Sequence, residues 1–159
     1  VKKILATLCY VRKNGKTLML HRVKKDRDMH KGKYNGLGGK FEPGESPEDC
    51  VIREVREESG LELKAPSLRG VLTFPEFDGE NDWVVFVFTA KKFTGRLTES
   101  CEGDLEWVAD RDLTKLNLWE GDPVFLGHLD SKRFFSGKFH YKKGKLLKYK
   151  FLLYPIKRG

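Results

Sequence analysis

The chain has 159 residues, 39% of them hydrophobic, which is enough for one sizeable core and too few for two, so a single domain over residues 1–159 is expected. Its net charge of +8 is uneven: residues 131–159 carry ten Lys or Arg and no acid, leaving 21 basic against 23 acidic residues before them. No run is apolar over the roughly 20 residues that a membrane helix needs, which leaves no membrane partner and a cytoplasmic location as the expectation.

In chain order, Ile4–Val11 and Thr17–Arg22 flank Asn14-Gly15, a hairpin signal that predicts two antiparallel strands. Arg12 and Lys13 follow the first run at once, so it reads as a strand and not as an export signal. Residues 26–35 have no sustained period and read as a charged loop. Gly32, Gly36, Gly38 and Gly39 then bracket a short strand around Leu37, a glycine density that lets backbone approach a ligand closely. Ser46 as N-cap, Pro47 at the first helical position, Glu48 and Asp49 in the first turn and Gly60 as the stop define a helix between them. Its core side carries Val51, Ile52 and Val55. Leu68–Phe74 and Trp83–Lys91 read as strands joined by the loop Glu76–Asp82, and WVVFVFTA is apolar enough to lie centrally in a sheet. Leu105–Val108 reads as a strand, Asp110–Lys115 as a helical turn and Asp122–Leu129 as a helix, before a hairpin turning at Lys143-Gly144. Strands alternating with two helices predict an α+β fold, an αβα sandwich with a mixed sheet.

The segment GKFEPGESPEDCVIREVREESGL, residues 39–61, concentrates the chemistry. Glu54, Glu57 and Glu58 stand at i, i+3 and i+4 and fall on one helix face. Unpaired carboxylates about 5 Å apart repel by roughly 3 kcal/mol per pair at an effective dielectric near 20, and a divalent cation is the simplest remedy. Arg53, four residues before Glu57, can hold that carboxylate's rotamer. The alternative is a solvated acidic surface helix.

The full spacing is Gly39, five residues, Glu45, seven residues, then Arg53-Glu54-Val55-x-Glu57-Glu58-x-Gly60-Leu61. It resembles the Nudix (MutT-type) hydrolases at every fixed position of their box. The resemblance extends over LMLHR, KYNGLGGK, TFPEF, WVVFVF, EWV and FFSGKFHY to the oxidised-purine nucleoside triphosphatases of that group. It implies a Nudix-type sandwich, a magnesium cofactor with manganese as a substitute, and cleavage of a nucleotide to the monophosphate and pyrophosphate. It also implies that Glu54, Glu57 and Glu58 ligate the metal with the Gly38 carbonyl, and that Glu45 braces the loop. By the same resemblance the general base is Glu54, or Glu102 in the ESCEGDLEW stretch, which occupies the matching place of a later-loop base and joins the metal-ligand candidates; taken alone, Glu102 reads as a solvated loop acid.

By the same resemblance Arg22 and Lys40 meet phosphates, although either could equally be a surface charge. Asn35 pairs with the edge of a purine while Trp119 and Phe74 stack on its face; the alternatives are a turn residue and a core aromatic. Where the mammalian-type enzymes have a Trp followed by two acids, this chain reads Trp119-Glu120-Gly121-Asp122 and retains only Asp122 of that pair, which bears on the breadth of substrates accepted. A nucleotide is the expected partner; the alternatives are the same cleavage of RNA 5′ ends, dinucleoside polyphosphates or ADP-ribose, and a domain that binds nucleotide or RNA without catalysis. The basic C-terminus reads as a solvated strand pair, in which Phe139, Tyr141, Leu147, Tyr149 and Phe151 alternate with lysines, or as a surface for RNA. Cys9, Cys50 and Cys101 lack a C-x-x-C pair and are expected as buried or half-buried thiols, and His21, His30, His128 and His140 lack ligand spacing and are assigned no chemistry.

Overall fold

A computed structural model describes residues 1–26 and 28–156; Arg27 of the charged loop and Lys157 and Arg158 of the basic C-terminus lie outside the described residues. Strands β1 (Lys3–Lys13) and β2 (Lys16–His21) form the opening hairpin. Its turn residues Asn14 and Gly15 both have positive φ, 52° and 72°, the geometry that matches the twist of two-residue hairpins. After the two-residue strand β3 (Tyr34–Asn35), helix α1 spans Pro47–Ser59. Ser46 accepts from the Asp49 N–H while the Asp49 side chain accepts from the Ser46 N–H, a reciprocal capping box, and Gly60 closes the helix at φ 80°.

Then come β4 (Glu62–Lys64), β5 (Ser67–Phe74), β6 (Asp82–Ala90), β7 (Lys92–Thr94), β8 (Asp104–Ala109), a 3₁₀ turn over Asp110–Lys115, the short helix α2 (Asp122–Leu126), β9 (Phe134–Lys142) and β10 (Lys145–Tyr154). The helix expected to reach Leu129 thus stops at Leu126, because Gly127 caps it. The small pair β4–β7 has too few residues to carry an alternating pattern and was not expected. The main sheet runs β10-β9-β5-β6-β1-β2-β3, with β8 also on β2. It is mixed: β1 with β6 and β5 with β9 are parallel, the other pairs antiparallel. β6 is central as its unbroken apolar run implies.

Period-two alternation divides the core between the two faces of the sheet. Cys9, Val11, Leu18, Leu20 and Phe88 pack with Val51 and Val55 of α1. Their neighbours Tyr10, Met19 and Val87 pack on the other side with Phe125 and Leu126 of α2 and with Phe135 and Phe139. These are the three layers expected of an αβα sandwich. Cys9 and Cys50 are buried, but Cys101, which lies in the irregular loop before β8, is exposed.

One irregularity places the site. β1 and β2 pair only at Arg12↔Thr17 and Lys13↔Lys16, and they diverge beyond the hairpin. The glycine loop fills the gap alongside β1 through the bridges Cys9↔Leu37 and Ala6↔Lys40, so the short strand expected around Leu37 is a line of isolated bridges. The Gly39 and Leu37 carbonyls accept from Thr7 and Cys9. The intervening Gly38 carbonyl takes no part in this ladder. A Cβ on Gly38 would collide with the Thr7 carbonyl, and one on Gly39 would sit 2.5 Å from the Glu54 carboxylate.

Replacing Ser46 by Ala removes one half of the capping box, and we expect a loss of about 1 kcal/mol, read as a fall in Tm of roughly 2–4 °C. An unchanged melting curve would contradict this account of the helix start.

Candidate active site

The box helix and the glycine loop meet through Arg53. Its Nε and Nη2 donate to the Glu45 carboxylate at 2.6 and 2.8 Å, Nη2 also to the Lys40 carbonyl at 3.0 Å, and Nη1 to Glu54 at 2.8 Å and Glu57 at 3.2 Å. Glu45 in turn accepts from the Glu42 N–H. The planar guanidinium therefore ties three carboxylates and one loop carbonyl into a single unit. The bond from Arg53 holds the Glu45 carboxyl down at about 2. Glu45 braces the loop, and Arg53 does more than hold Glu57: its two bonds to Glu45 are joined by bonds to Glu54 and the Lys40 carbonyl.

A cavity of about 720 Å³ opens beside this unit. At one end its wall includes Gly38, Gly39, Glu54, Glu58, Glu102, Arg22 and Lys40. Glu58 is the most constrained of these acids. Its Oε2 is closed off from solvent and has no hydrogen-bond partner among the described residues. Burial first, then the charges of Glu102 and Glu54, push its carboxyl up to about 9, against a hydrogen bond from the Gly38 backbone. Glu57 is different: its side chain is exposed, held among the described residues by Arg53 alone, and is not part of the cavity wall. Glu102 pairs with Arg22 at 3.5 Å and Lys25 at 3.6 Å. Arg22 gives its Nε to Asp28 at 2.7 Å, so the proposed phosphate ligand is already engaged by two acids. Lys40 Nζ lies 5.3 Å from the Trp83 ring centroid, at the cavity wall.

The donor set is hard oxygen, which suits a small divalent cation. Among the described residues no three acidic or imidazole side chains converge closely enough to enclose a metal as they stand, because Glu54 is turned toward Arg53. The orphaned Oε2 of Glu58, the adjacent Glu54 and Glu102 and the unbonded Gly38 carbonyl nevertheless fit such an ion. An uncompensated buried carboxylate is costly without one.

The other end of the cavity is aromatic. Trp119, Phe74, Phe77, Tyr141 and His30 line it together with Asn35 and Asp122. Trp119 is edge-on to Phe77, Tyr141 and His30, with centroids at 5.1, 5.3 and 5.3 Å. Phe74 lies 5.4 Å from Phe77. Asn35 belongs to β3, paired opposite Leu20, and is therefore not a turn residue; its Nδ2 is buried without a partner among the described residues. Burial pushes the Asp122 carboxyl up to about 7, although a hydrogen bond from the Trp119 backbone pulls the other way. His30, to which no chemistry is assigned from spacing, stands in this wall. Phe77 and Tyr141 also escape sequence reading: Phe77 sits in a polar loop, and Tyr141 is one member of an ordinary alternating strand. A tertiary contact alone brings them to the site.

The metal-free protein should show the electrostatic load of Glu58 directly. Its folded-state pKa is raised, so the folded state holds a proton that the unfolded state releases. The contribution of Glu58 to stability is then fully present below the ordinary carboxylate range and is lost as pH rises toward about 9, by at most about 1.4 kcal/mol per pH unit for one proton. Chelator-treated protein should lose Tm across that window, and Glu58→Gln should flatten the loss. Parallel curves for the two proteins would refute the assignment.

Comparison with known proteins gives a consistent result. A model of the NUDIX domain matches residues 2–129. The uncharacterized Nudix hydrolase YvcI of Bacillus subtilis is 38% identical over 127 residues, covering 77% of this chain and 74% of that protein. The oxidized purine nucleoside triphosphate hydrolase of Danio rerio is 32% identical over 139 residues, covering 87% of this chain and 86% of that protein. A crystal structure of a MutT protein from Bacillus halodurans superposes with a TM-score of 0.83 at 34% identity, covering 93% of this chain and 97% of that one.

Proposed function

From the premise that the chain belongs to the Nudix family, whose hydrolases use divalent metal ions, we propose that it is a magnesium-dependent pyrophosphohydrolase of oxidised purine nucleoside triphosphates. Manganese is the natural substitute, and 8-oxo-dGTP the representative substrate. The observation that carries the reading is one cavity joining a carboxylate end, with the orphaned Glu58 Oε2, to an aromatic end with the orphaned Asn35 Nδ2. A purine nucleoside triphosphate has the complementary parts in the same order. Similarity to oxidized purine nucleoside triphosphate hydrolases supports the choice of base.

Glu54, Glu58, Glu102 and the Gly38 carbonyl would hold the ion, and Glu57 can swing in from its exposed position. A bound divalent cation lowers the pKa of a coordinated water and neutralises charge on phosphoryl oxygens. Arg53 holds Glu54 at the cavity wall through the Nη1 bond, and Glu54 accepts the proton of the attacking water. Glu102 is the alternative base, and its ion pair with Arg22 holds it at the cavity wall. Lys40, and Arg22 once released from Asp28, meet the phosphates. Trp119 and Phe74 stack on the base. Asn35 Nδ2 donates to an acceptor on the base edge, and Asp122, with its raised pKa, can carry a proton to a second acceptor. The phosphoanhydride bond breaks, the water oxygen bonds to phosphorus, and monophosphate and pyrophosphate leave.

In a panel of nucleotides with magnesium, 8-oxo-dGTP should be preferred over dGTP by more than about tenfold in kcat/KM, the equivalent of 1.4 kcal/mol, with pyrophosphate as product. Glu54→Gln should lower kcat by at least about 100-fold. Orthophosphate as product, or turnover no higher than that of Glu57→Gln, would overturn the reading.

A second reading keeps the chemistry and takes RNA 5′ ends as substrate. Lys142 and Lys145 pair across β9 and β10 with Lys143 in the turn between them, next to Tyr141 of the cavity wall. None of the three has an ion-pair partner among the described residues. Lysines on an edge strand also guard it against pairing with another chain. Replacing all three by Gln should leave mononucleotide hydrolysis intact; a selective loss on triphosphorylated RNA would favour this second reading.

A further inference from the structure

The recognition wall contains a polar strut that the nucleotide reading does not use. A buried indole N–H needs a partner, and that of Trp119 donates to His30 Nδ1 at 2.8 Å. The His30 ring stacks on Phe77 with a centroid distance of 6.0 Å, so its orientation is set from a second direction. Its own backbone N–H donates to Asp28 Oδ1 at 3.0 Å, and Asp28 Oδ2 accepts from Arg22 Nε at 2.7 Å. The same loop is stapled to the Trp119 segment by Asn117 Nδ2 donating to the Gly32 carbonyl and Lys33 Nζ donating to the Leu118 carbonyl. Nδ1 can accept only if it carries no proton, and burial together with the nearby Arg22 charge lowers the His30 pKa and keeps the imidazole neutral. Nothing else among the described hydrogen bonds fixes the indole of Trp119.

We propose that His30 is a specificity-determining positioning residue, which holds the Trp119 indole through the Nε1–H···Nδ1 bond in the plane on which the substrate base stacks and so sets the preference for purine over pyrimidine nucleotides. This rests on the nucleotide reading above for the substrate, but not for the strut itself. A purine covers more of an indole than a pyrimidine does, so misplacing the indole weakens purine binding more. The carboxylate end keeps its contacts when the ring is replaced, because the His30 side chain makes no hydrogen bond or ion pair to Glu54, Glu57, Glu58 or Glu102 among the described residues and its link to Asp28 runs through the backbone N–H.

Two variants separate the acceptor from the ring. His30→Phe keeps an aromatic ring against Phe77 and removes the acceptor. His30→Asn loses the ring and keeps an acceptor, since Oδ1 occupies nearly the place of Nδ1. For His30→Phe we expect KM for purine triphosphates to rise about tenfold, or 1.4 kcal/mol, with kcat and pyrimidine kcat/KM within about twofold. His30→Asn should recover KM to within about threefold of the parent. In substrate-free protein the Trp119 indole N–H should exchange slowly with solvent by NMR, fast in His30→Phe and slowly again in His30→Asn. Equal loss of kcat on every nucleotide, an unchanged purine KM in His30→Phe, or no recovery in folded His30→Asn would overturn the proposal. A rapidly exchanging indole in the parent would defeat the strut alone; a parent that hydrolyses no nucleotide would defeat the substrate reading and leave the strut standing.

Discussion

The rest of the site depends on a carboxylate oxygen that the fold buries, among the described residues, without a partner. Glu58 Oε2 has neither solvent nor a donor, and its neighbours Glu54 and Glu102 add negative charge to the same place. A protein core normally eliminates such a group or neutralises it. Here the neutraliser is divided. Arg53 stabilises Glu54 and Glu45 from the solvent side, but it makes no bond to Glu58. The remaining charge faces the cavity, where an oxygen-loving cation and a polyphosphate can offset it together.

That arrangement requires the sheet to be broken at one point. β1 and β2 separate after their hairpin, and the glycine loop takes the vacated place at the edge of β1. Only residues without a Cβ fit there, since Thr7 and the Glu54 carboxylate occupy the space that side chains at 38 and 39 would need. The breach connects the α1 side of the sheet, which carries the acids, with the α2 side, which carries the rings. A single cavity can therefore meet both ends of one elongated ligand. The helix cap at Ser46 and the stop at Gly60 fix the start and end of α1, and with them the positions of Glu54 and Glu58 over the breach.

How much of this was legible in the sequence follows from the range of the forces involved. Helix α1, its caps and the acidic triplet are local, set by neighbours three and four residues apart, and the motif resemblance adds the roles expected of them. The alternating strands are legible for the same reason. Asn35, Phe74, Trp119 and Asp122 came from resemblance, and the structure brings all four to one cavity wall. Glu57 is brought close to Arg53 but not to that wall, because its place on the helix turns it outward. Arg22 and Glu102 are far apart in sequence, and their pairing was not readable from either one. His30 offers no spacing signal at all. Its position becomes meaningful only when the loop around Asp28 folds against the segment that ends in Trp119, a contact between residues 89 positions apart. Short pieces such as β4 and β7 fail for want of length, not for want of hydrophobicity.

Whether a divalent cation completes the carboxylate end of the cavity is decided by titrating Mn²⁺ into the ligand-free protein and following the free-ion signal by electron paramagnetic resonance. The parent protein should remove Mn²⁺ from solution stoichiometrically and melt at a higher temperature as it does so, and Glu58→Gln should do neither. Identical free Mn²⁺ in the two titrations, with no change in either melting temperature, would contradict completion by a cation.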